Sequence, residues 1–493
     1  MKLPRSTRAS DCAAPFFGCG RRSVPCLGVA DCTVADARPA FSGKVIVPTG
    51  KFLTGPIFLK SHINFEVTAG ATLLGHTNID DYPGVAGRWE GIERKVYASL
   101  LTGHDLKNVS ITGRGTIDAQ GKVWWQAHEK NRALRRQHGL SGREPDNPPD
   151  SPLKWPRPRV INLYRCKNVL IRDLTILDSP AWTVHPVYCE DVTVDNLTII
   201  QPYESPNTDG INPDSCKNVR ISNCYIDVGD DCITIKSGYN QDGRRVGIPC
   251  ENIVVTNCTF VHGRGGVVIG SEMSGDVRNV AVSNCVFDGT LRGLRAKTGH
   301  GRGGVVENLR ATNCIMRNIQ DAAFSVTMSY GGSREGAIPE VTEETPTFRN
   351  IHWSNITIFD SNRTASIYGM PEMPLQNFSL SNIHVVSAKT GITCSTARGI
   401  VFDNVIVNAD SGPALQVKDV HDLEVRCFTT HKPNPNTPVV VFENVKNALV
   451  QDCSAVKGTG AFLALKGSEN KEIDMRLNRL SRAEKEMAKQ RQP

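Results

Sequence analysis

Apolar positions along most of the chain follow one short phrase. KNVLIRDLTI starts at Lys167, EDVTVDNLTI at Glu190 and KNVRISNCYI at Lys217. ENIVVTNCTF follows at Glu251, RNVAVSNCVF at Arg278, ENLRATNCIM at Glu307 and RNIHWSNITI at Arg349. LQNFSLSNIHVV from Leu375 continues the series, and KNVSITGRGTI at Lys107 precedes it. In each copy the apolar residues fall one and three positions after the first Asn or its equivalent, then at six and eight. That is two short period-2 strands separated by a one-residue phase shift. A second Asn (Asn223, Asn257, Asn284, Asn313) sits at the shift. Asn tolerates left-handed backbone and can bond a stacked neighbour, so it suits a bend made in every repeat.

The spacing from Asp191 through Asn218, Asn252, Asn279 and Asn308 is 27, 34, 27 and 29 residues. No 3.6-residue period runs between the copies. Stacking coils of such strands buries the inner face of each against its neighbours. The predicted fold is all-β: a parallel β-helix of about ten coils with a binding groove along one face. A leucine-rich repeat is excluded by the missing Leu spacing. Two stretches depart from the pattern. Residues 122–159 read as a short helix, then a Pro-rich loop, together one insertion over the groove. The charged tail 468–493 reads as an exposed helix or as disordered. The strand pattern opens at Gly43, leaving 1–42 as an atypical N-terminal segment and 43–467 as the catalytic domain.

Composition narrows the class. Of 493 residues, 39% are apolar and 22% charged, the balance of a folded chain. No apolar run approaches 18 residues, which excludes a helical membrane span. A net charge of +7 permits a polyanionic partner without demanding nucleic acid. The basic start is followed by no apolar stretch of signal-peptide length, which favours a cytoplasmic over a secreted location. There are 16 cysteines. Those at 224, 258, 285 and 314 close SNC or TNC phrases and read as buried free thiols. No zinc-ligand spacing occurs.

The chemistry concentrates in SPNTDGINPDSCKNVRISNCYIDVGDDCITIKSG. Asp209 and Asp230 lie 21 residues apart, close to one coil, so they are expected to be vertical neighbours with Asp231 beside them. Clustered carboxylates repel one another when ionised, so at least one retains a proton. Asp beside Gly also makes turns, and several carboxylates also suit calcium. Arg295 and Lys297 are i and i+2 on one strand, facing the same way. Side by side they suit a sugar carboxylate.

NTDGINPDSC, GDDCITIKSG, VVIGSEMSGDVRNV and GLRAKTG, in this order, resemble glycoside hydrolase family 28, the polygalacturonases. GPIFLKS at Gly55–Ser61 and GTIDAQGKVWW at Gly115–Trp125 resemble its bacterial exo-acting branch. The resemblance spans about residues 43 to 440. It implies a right-handed parallel β-helix that hydrolyses α-1,4-galacturonide bonds of pectic chains with inversion, without metal or cofactor. Carried over by motif, Asp231 is the general acid, while Asp209 and Asp230 activate the water. Arg295 and Lys297 match the family's R-I-K motif.

One departure falls at the site. The family's G-H-G before I-G-S is here GRGGVVIGS, with Arg264 in the histidine's slot and His262 two residues earlier. By strand alternation His262 is a substitute for the catalytic histidine. The G-H-G around His300 follows the Arg295/Lys297 motif and precedes no I-G-S. Trp182 and His185 lie one coil before Asp209 and are candidate sugar contacts. Tyr330 is a candidate to stack on the sugar, and Asn207 to support Asp209. Two other functions compete: a calcium-dependent pectate lyase, and a β-helix that binds carbohydrate without cleaving it.

Overall fold

The computed structural model describes residues 43–140, 147–332 and 338–490. The repeated phrase folds as a right-handed parallel β-helix, its successive coils stacked in parallel strand columns. The first strand of each phrase makes one column: Glu190–Asp195, Lys217–Ser222, Cys250–Thr256, Val277–Ser283. The second makes another: Thr198–Ile200, Tyr225–Val228, Thr259–His262, Val286–Asp288. The third column carries the groove. It includes Ile161–Tyr164, Val184–Val187, Asp231–Ile235, Gly265–Ile269 and Arg292–Lys297. Single bridges at Ile211 join Val184 on one side to Ile233 on the other.

Alternation sends Val219 and Ile221 of Lys217–Ser222 inward and leaves Arg220 outside. In register, Val192, Val219, Ile253, Val280 and Leu309 then stack on one another. Phe260 and Phe287 continue this core, ring centroids 5.0 Å apart. Burial of each such side chain contributes roughly 1.5–3 kcal/mol. Cys224, Cys258, Cys285 and Cys314 are buried free thiols, as their phrase suggested. Each Sγ donates to the carbonyl two residues earlier.

Both asparagines of the phrase sit at left-handed bends. Asn218, Asn252, Asn279 and Asn308 have φ between 57° and 59°. Their amides form a ladder, Asn252 to Asn218, Asn279 to Asn252 and Asn308 to Asn279, each 3.1 Å. At the second bend Asn382 donates to Asn355 and Asn404 to Asn382.

Three features differ from expectation. The stack is taller than ten coils, because pairing continues through 375–426 and beyond. Part of the tail adds strands: Lys471–Arg476 pairs with Val440–Gln451, and Ala483–Gln490 with Thr459–Lys466. An antiparallel hairpin, Gly84–Trp89 with Ile92–Tyr97, was not foreseen. Its turn residues Glu90 and Gly91 have φ of 47° and 79°, the doubly left-handed tight turn of hairpins. The insertion does form a helix, Lys122–Gln137. Among the described residues no helix is long and apolar enough to cross a membrane. The atypical segment 1–42 lies outside the described residues.

The ladder yields a stability prediction. Asn279→Ala forces an ordinary residue into left-handed backbone and breaks two rungs, costing about 2–3 kcal/mol. Asn279→Gly keeps the bend and loses only the rungs, so it costs less. Denaturant titration of both variants reads the difference, and equal costs would mean that the bend carries no strain.

Candidate active site

The third column brings the three aspartates together. Asp231 opens its strand, and Gly265 of the next coil pairs with it. Ile211 pairs with Ile233, and Gly210 N–H donates to the Asp231 carbonyl at 3.1 Å. Asp209 therefore lies in register with Asp231. The 21-residue spacing had pointed to Asp230, one position earlier. Gly265 is required by close approach: a Cβ there would fall 2.4 Å from a Val268 methyl and 3.0 Å from Asp231 Oδ1.

The groups differ in environment. Asp209 and Asp231 are 3% and 2% exposed, while Asp230 is only partly buried and lines an open cleft. Lys297 Nζ sits 2.9 Å from Asp231 Oδ2. Burial alone would raise Asp231, but Lys297 and then Arg295 outweigh it and hold the carboxyl below its ordinary range. Burial and the neighbouring Asp231 push Asp230 up, against Lys297 and Arg264. Burial and Asp230 push Asp209 well above its ordinary value. Asp231 is thus the member held towards the ionised form, while Asp209 and Asp230 are both pushed towards the protonated one. Asp231 Oδ1 is buried and has no protein hydrogen-bond partner, which suits it to accept from a water.

Arg295 and Lys297 share a face, as the i, i+2 spacing requires. Tyr330 lies over both, its ring centre 5.4 Å from the guanidinium and 5.5 Å from the ammonium. Arg264 donates its N–H to the Asp230 carbonyl at 3.0 Å and lines the same cleft as Asp230.

Four expected contacts take other places. His262 has φ of 53° and turns outward. Its Nδ1 lies 2.9 Å from Asp227, half-exposed, and it does not line the cleft. Gly263, with φ of 74°, makes the corner between columns, so alternation does not relate His262 to Arg264. Asn207 does not support Asp209; its Oδ1 accepts from Arg157 at 2.6 Å. Asn212 and Thr234 donate to Asp209 Oδ2 instead. Trp182 is buried, stacked on Trp89 at 4.8 Å. His185 is fully buried 3.5 Å from Asp214, and burial pushes it down to about 3, so it is neutral. Both are buried in the layer beneath the groove.

That layer was missed in the sequence. Lys236, in the same phrase as the aspartates, is buried 3.0 Å from Glu272 and lies 4.6 Å from the Trp182 ring. Its charge acts on all three aspartates. The hairpin contributes Arg88, which donates to Asp214 at 2.9 Å and to Ser215 at 2.8 Å. Arg159 donates to the Arg88 carbonyl. Strand alternation sends an odd spacing to opposite faces, so the five residues from Asp231 to Lys236 gave no signal for Lys236. Arg88 had none, lying 126 residues from Asp214.

The model of glycosyl hydrolases family 28 matches residues 40–404. A probable polygalacturonase of Vitis vinifera is 35% identical over 72% of this chain and 70% of its own length. An exo-poly-alpha-D-galacturonosidase of Dickeya chrysanthemi is 28% identical over 64% of this chain and 57% of its own. The hyperthermoactive exopolygalacturonase of Thermotoga maritima superposes with a TM-score of 0.61 at 32% identity, over 74% of this chain and 84% of that one. These matches agree with the coil, the aspartate cluster and the Arg–Lys pair: the chain belongs to glycosyl hydrolases family 28.

Proposed function

We propose that this protein hydrolyses α-1,4-galacturonide bonds of polygalacturonate with inversion, acting from chain ends. The observation that carries the reading is the Lys297–Asp231 pair, with Asp231 Oδ1 unpartnered beside it. Asp231 accepts a proton from water as the water attacks the anomeric carbon. The bond from that carbon to the glycosidic oxygen breaks, and the oxygen takes the proton from Asp230, the member of the pair that faces the cleft. Asp209 orients the water. This exchanges the roles that the motif implied for Asp230 and Asp231. An aspartate gripped by an ammonium is a poor proton donor and a good acceptor. Arg295, Lys297 and Tyr330 hold the sugar carboxylate and ring. Positive charge for the site comes from these cations and Lys236, so the reaction requires no metal. Chain-end action is supported by the helix Lys122–Gln137, which walls the cleft beside Asp230, and by the exo-acting relatives.

Incubation with polygalacturonate tests the reading. Reducing ends should rise while only short products appear, and chelation should leave the rate unchanged. An unsaturated product absorbing in the ultraviolet, with calcium dependence, would establish a lyase. Binding without shortening would establish a carbohydrate-binding protein.

Lys297→Met removes the cation that holds Asp231 low. A base must be deprotonated, and activity is lost as pH falls through its pKa. The acidic limb of kcat/KM should therefore move to higher pH, beyond any fall in the maximum. An unmoved limb would separate Lys297 from the base.

Arg264→His withdraws a fixed charge that opposes the protonation of Asp230. An acid must be protonated, and activity is lost as pH rises through its pKa. The basic limb should move to higher pH. His262→Ala should leave both limbs in place and the rate within twofold. If His262→Ala abolishes activity, His262 belongs to the site after all.

A further inference from the structure

Lys236 brings its charge to the aspartates from beneath the groove. It is 5% exposed. Burial alone would lower its proton affinity, but Glu272 and then Asp209 and Asp231 outweigh burial and hold it protonated. Thr234, two residues earlier, shares its face and donates to Asp209 Oδ2 at 3.1 Å. The backbone of Lys236 is bridged to that of Asp214 in the coil before, while its Nζ lies 4.6 Å from the Trp182 ring. Trp182 precedes Thr183, whose N–H donates to the Asp209 carbonyl, so it belongs to the coil before Asp209. The Lys236 side chain therefore spans the coil that carries Asp209 and Asp214. On its other side Nζ lies 3.0 Å from Glu272. Ile235 pairs with Ile269, and Ile269 with Ala296, which puts Lys236 and Lys297 on one row with Gly270 between them.

The groups facing this ammonium come from four successive coils. Glu272 lies in the coil after, Asp230 and Asp231 in its own, Asp209 and Asp214 in the one before, and neutral His185 in the one before that. Arg88 of the hairpin is paired with Asp214. Lys297 is bonded to Asp231 and favours the charge there. Lys236 is bonded to Glu272 and bears on all three catalytic aspartates. The proposed reaction adds a proton to Asp231 and takes one from Asp230, so charge moves within the cluster while its total stays the same. A cation fastened to Asp231 opposes that movement. One common to the cluster holds the total and leaves the movement free.

We propose that Lys236 is a positioning residue of the reaction: the cation common to Asp209, Asp230 and Asp231 that sets the total charge of the cluster, as Lys297 sets where that charge starts. This role deepens, and rests on, the hydrolase reading above.

Without Lys236 every aspartate keeps its proton to higher pH. The base then ionises only at higher pH, and the acid stays protonated longer. In Lys236→Met both limbs of kcat/KM on oligogalacturonate should therefore move to higher pH together, by about one pH unit. Lys236→Arg keeps the charge and should return both limbs towards wild type. Lys236→Met also leaves Glu272 buried without that cation, which endangers the fold. K236M/E272Q removes both charges and should move both limbs the same way, though less far, because Lys236 and not Glu272 is among the charges that bear most on each aspartate. A uniform fall in rate with unmoved limbs, or movement of one limb alone, overturns the role of Lys236. Titration of isotope-labelled aspartate carboxyls, assigned with Asp209→Asn, Asp230→Asn and Asp231→Asn, reads the cluster without turnover. All three midpoints should rise in K236M. Unmoved midpoints overturn the role even where wild type cleaves, whereas midpoints that rise while wild type binds without cleaving overturn the hydrolase reading alone.

Discussion

One ammonium group organises the site. Lys297 lies 2.9 Å from Asp231 among carboxylates that burial would otherwise neutralise. Burying three acids together is unfavourable unless charge is balanced, and proteins respond by pairing or by retaining protons. Here both occur. Asp231 is paired and ionised, while Asp209 and Asp230 are forced towards the protonated form. In the proposed mechanism, an acid and a base are thereby obtained from identical side chains. Beneath them, Lys236 and Glu272 form a second buried pair, and Arg88 with Asp214 a third. Losing one partner of such a pair leaves an uncompensated charge, which is costly, so the layer is held as a unit.

The coil delivers this arrangement. Residues far apart in sequence become neighbours at one strand spacing, ~4.8 Å, when they share a column position. Asp231 and Lys297 are 66 residues and two coils apart on the third column, and the long Lys297 side chain closes the gap. The asparagine ladders fix the bends, and with them the register of each coil. A slip of one residue would turn Asp231 inward and destroy the pair.

Legibility followed periodicity. The phrase, its bends and the buried thiols were readable because they recur, and the shared face of Arg295 and Lys297 followed from alternation along one strand. The same rule failed for His262 and Arg264, because a left-handed corner at Gly263 lies between them. It failed again for the tail. KEIDMR and AEKEMAKQ carry too much charge to read as strands, but a strand near the end of a stack needs only its backbone paired and one face covered. Trp182 and His185 looked like sugar contacts because nothing in their coil shows that the hairpin bearing Trp89 and Arg88 covers them. Which aspartate holds the proton was illegible for a related reason: Lys297 arrives from two coils later.

The division of labour between Asp230 and Asp231 is tested most directly with an aryl galacturonide whose leaving group departs without protonation. Asp230→Asn should lose on the order of 10²–10⁴ in rate on oligogalacturonate and recover most of it on the aryl substrate. Asp231→Asn should be inactive on both, since attack by water still needs its base. Recovery by Asp231→Asn, with Asp230→Asn inactive on both, would contradict the account and return the acid's role to Asp231.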